Sequence, residues 1–139
     1  MSSWQFYIDD MLATGHCADV VLVGFEGTPS VWASVPDGNL SKITPDQIRS
    51  LVQKDRTAFF TNGVRMGPYK YMVTNDRMFD ENARTLVLSR KTSNDESIFT
   101  VVGKSQKVLL IAEGITSTKA TLFMDQIFKN VSHLVNNGT

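Results

Sequence analysis

The sequence predicts an α+β domain built on an antiparallel sheet. Three observations carry that expectation. Both ends of the chain show a 3.6-residue apolar period, and the middle is a succession of short runs rich in β-branched and aromatic residues. The connections between those runs are too short for βαβ crossovers. At 139 residues, with 42% apolar and 20% charged content, the chain is one ordinary globular domain long enough to bury a core.

The first helix is set by Trp4, Tyr7, Ile8, Met11 and Leu12, which share one helical face. Ser2 with Gln5 fits a capping box, and Gly15 fits the stop. Two β-type runs follow, at 20–25 and 31–35. The Glu26-Gly27-Thr28-Pro29-Ser30 stretch between them is turn chemistry, so a hairpin is expected. Residues 41–53 carry the clearest helix start: Thr44 as N-cap, Pro45 at the first helical position and Gln47 closing a T-x-x-Q box. Ile48, Leu51 and Val52 give that helix its apolar stripe.

Strands are then expected at 58–60, 64–66, 69–74, 85–88, 98–102 and 107–112. Asn62-Gly63, Asn75-Asp76, Asp80-Glu81-Asn82, Ser93-Asn94-Asp95 and Gly103 punctuate them, a pattern that suits a meander. The last helix spans 120–136. Phe123, Met124, Ile127, Phe128, Val131, Leu134 and Val135 occupy one arc of its wheel, and Asn136-Asn137-Gly138 is its stop.

Composition excludes several classes. Fourteen Lys and Arg balance fourteen Asp and Glu, which argues against a general nucleic-acid binder. Cys17 stands alone, so no intrachain disulfide or thiolate metal cluster is expected. The N-terminus lacks the pattern of a signal peptide, and the longest apolar runs fall far short of the ~20 residues that span a bilayer. A soluble protein of a reducing compartment is the expectation. No nucleophile elbow, phosphate loop, dinucleotide fingerprint or zincin motif is present in the sequence. His16 beside Cys17 is the nearest thing to a nucleophile and its base, but neighbours on a chain point apart and nothing orients the histidine. Asp9-Asp10 reads as a solvated helix face. No catalysis, cofactor or metal is expected.

Several strings now converge on one family. They are Ser3-Trp4-Gln5-x-Tyr7-Ile8-Asp9, Val23-Gly24, Ser30-Val31-Trp32-Ala33 and Ile43-Thr44-Pro45. Lys54-Asp55-Arg56 then leads into Phe59-Phe60-Thr61-Asn62-Gly63, and Ser132-His133-Leu134 lies in the last helix. In this order and spacing, over nearly the whole chain, they resemble an animal profilin. The resemblance implies a central antiparallel sheet with the N- and C-terminal helices packed on one face and smaller helical elements on the other. It also implies a cytoplasmic, cytoskeleton-associated protein that binds monomeric actin, proline-rich ligands of the actin-assembly machinery and phosphoinositides, and that regulates filament assembly. A small neutral domain of this kind is expected to be a monomer.

By resemblance, Trp4, Tyr7, Trp32 and His133 form the polyproline surface, with Leu134 beside them. The chemistry suits the ligand. A polyproline II segment is stiff, lacks N–H groups and presents solvated carbonyls, so its receptor needs flat aromatic faces and a few donors. Trp4 and Tyr7 are expected to stand half-exposed. The family commonly ends in an aromatic residue that joins this groove. Here Thr139 stands instead, so weaker proline binding is expected.

The same resemblance places actin contacts at Phe60, Thr61, Lys70, Val73, Lys91 and Lys119, apolar anchors with a basic rim. Asn75 stands where relatives often carry an arginine, with Arg77 close by, and residues 115–120 replace a glycine-rich segment that holds a histidine. These departures motivate an alternative: a proline-motif adaptor with a weakened or lost actin face. Phosphoinositide binding would draw on Arg90, Lys91, Lys104 and Lys107.

Overall fold

The computed structural model describes residues 4–139. The Ser2 cap of the first helix therefore lies outside the described residues. The elements run α1 (Trp4–Leu12), β1 (Cys17–Gly24), β2 (Ser30–Ser34), a 3-10 helix (Asn39–Lys42), α2 (Pro45–Val52), α3 (Phe59–Asn62), β3 (Val64–Met66), β4 (Tyr69–Arg77), β5 (Thr85–Lys91), β6 (Ser97–Lys104), β7 (Val108–Gly114) and α4 (Thr121–Asn136). Among the described residues, seven strands form one sheet in the order β2-β1-β7-β6-β5-β4-β3, antiparallel throughout.

The sheet has a core on each face. Tyr7, Ile8 and Met11 of α1 and Phe123, Ile127, Val131 and Leu134 of α4 pack on Val20, Leu22, Val101, Leu110 and Ala112. Leu40, Ile48, Leu51 and Phe59, from the short helices, pack on Val21, Val23, Leu86, Leu88, Val102, Leu109 and Ile111. Consecutive strand residues thus serve opposite layers, as the period of two requires.

Local chemistry builds α2 as expected. Gln47 N–H donates to Thr44 Oγ1 at 3.1 Å, and Thr44 N–H donates to Gln47 Oε1 at 3.0 Å. The Gln47 side chain also bonds both the N–H and the carbonyl of Gly67, which ties α2 to the β3–β4 turn.

Three expectations are corrected. Residues 58–60 enter a short helix, α3, rather than a strand. Phe59 alone of the aromatic pair is buried, and Asn62-Gly63 acts as a helix stop, with Gly63 at φ 69° donating to Phe59 O at 2.9 Å. Asn75-Asp76 is not a turn but the continuation of β4. Asp76 is held by a two-pronged ion pair from Arg56 at 2.8 and 3.0 Å, and a bulge at Thr74 lets pairing resume at Asn75–Val87. Gly103 is not a break either. It lies inside β6 because a Cβ there would stand 2.6 Å from Ile127 and Val131 Cγ2, so its bare backbone lets α4 rest on the sheet.

Candidate functional site

The two terminal helices are clamped by one carboxylate. Asp10 Oδ2 accepts from Gln126 Nε2 at 2.5 Å and Asn130 Nδ2 at 2.9 Å, and Asn130 is itself buried. The aspartate is therefore a structural tie between α1 and α4 rather than a solvated face. This clamp brings Tyr7 against His133, with Tyr7 Oη 2.6 Å from His133 Nδ1 and ring centroids 5.9 Å apart.

Trp32 reaches the same region by a bulge. In β1–β2, Leu22 pairs with Ala33 while Val23 pairs with Val31, so Trp32 is the extra residue. Alternation breaks there: Val31 packs on the short-helix core and Ala33 on the α1–α4 core. The indole folds back over Gly24, where a Cβ would stand 2.6 Å from the ring, and meets Trp4 at a centroid distance of 4.9 Å and 56° tilt. Trp32 is 39% exposed, Trp4 is half-buried and His133 is exposed. The result is a cluster of aromatic side chains, two indoles in contact beside a phenol and an imidazole, along the α1–α4 edge of the sheet, called the groove below.

Two expectations change in this groove. Tyr7 is 4% exposed rather than half-exposed, because its ring packs in the α1–α4 core while its hydroxyl meets the exposed His133 ring, and burial pushes its phenol above the ordinary value so that it keeps its proton. Leu134, 1% exposed, is core beneath the groove rather than a contact. Phe6, edge-on to Tyr7 and exposed, lies off the apolar stripe of α1, so the helical period carries no signal for it. Thr139 sends its main-chain oxygen to Lys107 N–H and Ser105 Oγ, pinning the end of α4 to the β6–β7 turn.

The residues assigned to actin separate into three groups. Lys70, Lys91 and Lys119 are exposed at one end of the sheet. Pairing of Met72 with Ser89 sets Lys70 beside Lys91, and Ser117 N–H on Ser97 O ties the segment before Lys119 to the strand start opposite Lys91. Phe60 and Thr61 are exposed on α3, with Phe60 lining a pocket with Arg56, Arg77 and Phe79. Val73 is a correction. It is 7% exposed in the short-helix core, and its neighbour Met72, at 47%, faces outward in its stead. Asn75 and Arg77 line one cleft of about 310 Å³ with Met124, Asp125 and Phe128 of α4.

The four cations assigned to phosphoinositides do not form one cluster. Lys91 and Lys104 lie at opposite ends of the β5–β6 hairpin, about 20 Å apart at a strand's rise per residue. Arg90 is committed inward: its guanidinium donates to Glu113 at 3.1 and 3.5 Å and stacks 3.9 Å over Tyr69. Burial works against its charge, and the Glu113 carboxylate outweighs it, raising the Arg90 pKa. Lys104 lies against Phe25 and Phe79. Burial lowers its pKa, with the Arg84 charge adding.

The enzyme-like pair is no pair. Cys17 is buried, its thiol pushed up to about 11 by burial, and the side-chain partner that opposes the shift is Thr14 rather than His16.

The fold and the groove together can be set against known proteins. The profilin family model matches residues 2–139. The chain belongs to the profilin family. It is 34% identical to human Profilin-1 and 35% identical to mouse Profilin-1, each over 96% of both chains. Among solved profilin structures it is similar to mouse profilin IIa in complex with a double repeat from the FH1 domain of mDia1, with TM-score 0.93, 27% identity and 99% and 100% of the two chains covered. Rat profilin 2a gives TM-score 0.91 at 28% identity, over 99% and 97%. The sheet with its terminal helices on one face is thus the profilin fold.

Proposed function

We propose that this profilin binds monomeric actin and docks proline-rich segments on separate surfaces, and so regulates filament assembly as a non-catalytic, cytoplasmic monomer. The observation that carries the proposal is the groove, where Trp4 and Trp32 in contact stand beside the Tyr7–His133 hydrogen bond across α1 and α4. Flat indole faces take proline rings, and the N–H and O–H groups at their edges take the carbonyls. A solved profilin neighbour holding an FH1 double repeat supports the same use of the fold. The basic end with Lys70, Lys91 and Lys119, beside exposed Met72 and Leu122, supports an acidic protein partner. Holding actin on one surface and a proline-rich factor on the other raises the local monomer concentration near a filament end. The four cations offer no single phosphoinositide site, because the half-buried Arg90 is paired with Glu113 and Lys104 stands at the far end of the β5–β6 hairpin.

Titration of a ten-residue oligoproline by tryptophan fluorescence, and of monomeric actin by calorimetry, tests both surfaces. Trp32→Ala should weaken oligoproline roughly 10-fold or more, the scale of a lost stacking partner, and leave actin binding intact. Lys91→Glu should do the reverse. A folded protein that binds oligoproline but no actin at ~100 μM would leave the adaptor alternative standing.

A further inference from the structure

Asn137, just past the end of α4, sets its side-chain amide against the outer nitrogen of His133. Its side-chain nitrogen lies 2.8 Å from the main-chain oxygen of His133 and 3.3 Å from His133 Nε2. A carbonyl oxygen only accepts, so the Asn137 atom facing it is the NH2 group and not the amide oxygen. That NH2 has a second hydrogen, and an imidazole nitrogen facing a donor must offer its lone pair. Nε2 is therefore the bare nitrogen, and in the neutral ring the proton sits on Nδ1.

The consequence passes to α1. His133 Nδ1 is 2.6 Å from Tyr7 Oη. With the proton on Nδ1, the imidazole donates and the phenol oxygen accepts, which leaves Tyr7 its own hydrogen. In the other tautomer Tyr7 must donate to a bare Nδ1, and that hydrogen is committed. The end of the helix is positioned for this task. Asn137 N–H bonds the carbonyls of His133 and Leu134, and Thr139, two residues on, is pinned to Ser105 and Lys107.

We propose that Asn137 is a positioning residue of the proline-binding groove: by holding His133 in its Nδ1–H form, it keeps the Tyr7 hydroxyl hydrogen available to a backbone carbonyl of a docked polyproline segment. This rests on the proline reading of the groove. Proline-rich backbones offer carbonyls without N–H groups, so a receptor hydroxyl that can only accept is of no use to them.

The experiment has two readouts. Imidazole nitrogen chemical shifts, measured by NMR on the free protein at about pH 8, report the His133 tautomer directly. Oligoproline affinity is measured in parallel for the parent, Asn137→Ala and Asn137→Asp, each with Tyr7 and with Tyr7→Phe. The parent ring should carry its proton on Nδ1. In Asn137→Asp the new carboxylate can only accept, so the proton should move to Nε2, and affinity should fall roughly 3- to 10-fold, the scale of one net hydrogen bond. Asn137→Ala should give a smaller loss. With Tyr7→Phe all three should bind alike. An Nε2–H ring in the parent would overturn the proposal, and so would an equal loss from Asn137→Asp with and without the Tyr7 hydroxyl, since that would be the effect of a charge at the helix end. Failure of the parent to bind oligoproline would remove the proline reading and this proposal together, whereas a binding parent with the wrong tautomer removes the proposal alone.

Discussion

On the α1–α4 face the sheet is closed by two helices whose buried side chains are almost all apolar, with a single carboxylate, Asp10, tying one helix to the other. On the opposite face the cover is a 3-10 helix and two short helices, and at the edge of that core Glu113 takes hydrogen bonds from Tyr71 Oη, Thr100 Oγ1 and the Arg90 guanidinium. Asp19, cross-strand from Glu113, is also buried and accepts from Leu40 N–H. The contrast bears on where function sits. The regular, apolar layer can hold two helices at fixed spacing, so the groove groups of Tyr7 and His133 meet at its rim. The irregular layer is fastened by ions, and those same ions withdraw Arg90 from any ligand.

The ionic fastening can be broken most severely. Glu113→Ala leaves the half-buried Arg90 guanidinium, Tyr71 and Thr100 without their buried anion, a loss of about 3–5 kcal/mol that urea denaturation would show as a lower midpoint. A loss below ~1 kcal/mol would mean that Arg90 swings into water and that this face is not held by its ion network. Smaller in size, but directed at the other face, is Gly103→Val. The added side chain meets Ile127 and Val131 and should cost about 1–3 kcal/mol. Because it lifts α4, it should also weaken oligoproline binding while sparing the Arg90–Glu113 pair. Unchanged oligoproline affinity would uncouple the groove from the seating of α4.

The smallest effect concerns Asp19. Burial raises its pKa from the ordinary 3.8, Leu40 N–H opposes the shift and the Glu113 charge adds to it. A carboxyl raised on folding holds its proton more tightly in the folded state. Its contribution to stability therefore declines as pH rises from 3.8 through the folded value. Asp19→Asn carries no such slope. The melting temperature of the variant minus that of the parent should thus become more positive as pH rises above 3.8. A flat difference would show that Asp19 ionises alike in both states.

Much of the fold was legible because its signals are local. The stripe from Trp4 to Leu12 and the Thr44–Gln47 box each complete their logic within a few residues, and both elements form where expected. The groove was legible in residue types but not in exposure. Tyr7 and Trp4 share one stripe, yet α4 covers the first and leaves the second half-exposed. Along β4, alternation alone says that Val73 and Met72 face opposite ways, but not which way is inward. The short-helix layer answers that by burying Tyr71 and Val73. Arg90 read as a free cation because its partner lies 23 residues away on another strand.

By itself, then, the sequence determined the order of the elements, their periods and caps, and the chemical kinds of group available at each surface, since these follow from interactions spanning a turn or a pleat. The tertiary structure alone decided that Trp32 bulges over Gly24 to meet Trp4, that Arg90 turns inward to Glu113, and that Tyr7 meets His133 across 126 positions of chain. Register, burial and charge pairing are properties of which distant segments pack together, and no period or cap within one segment encodes them.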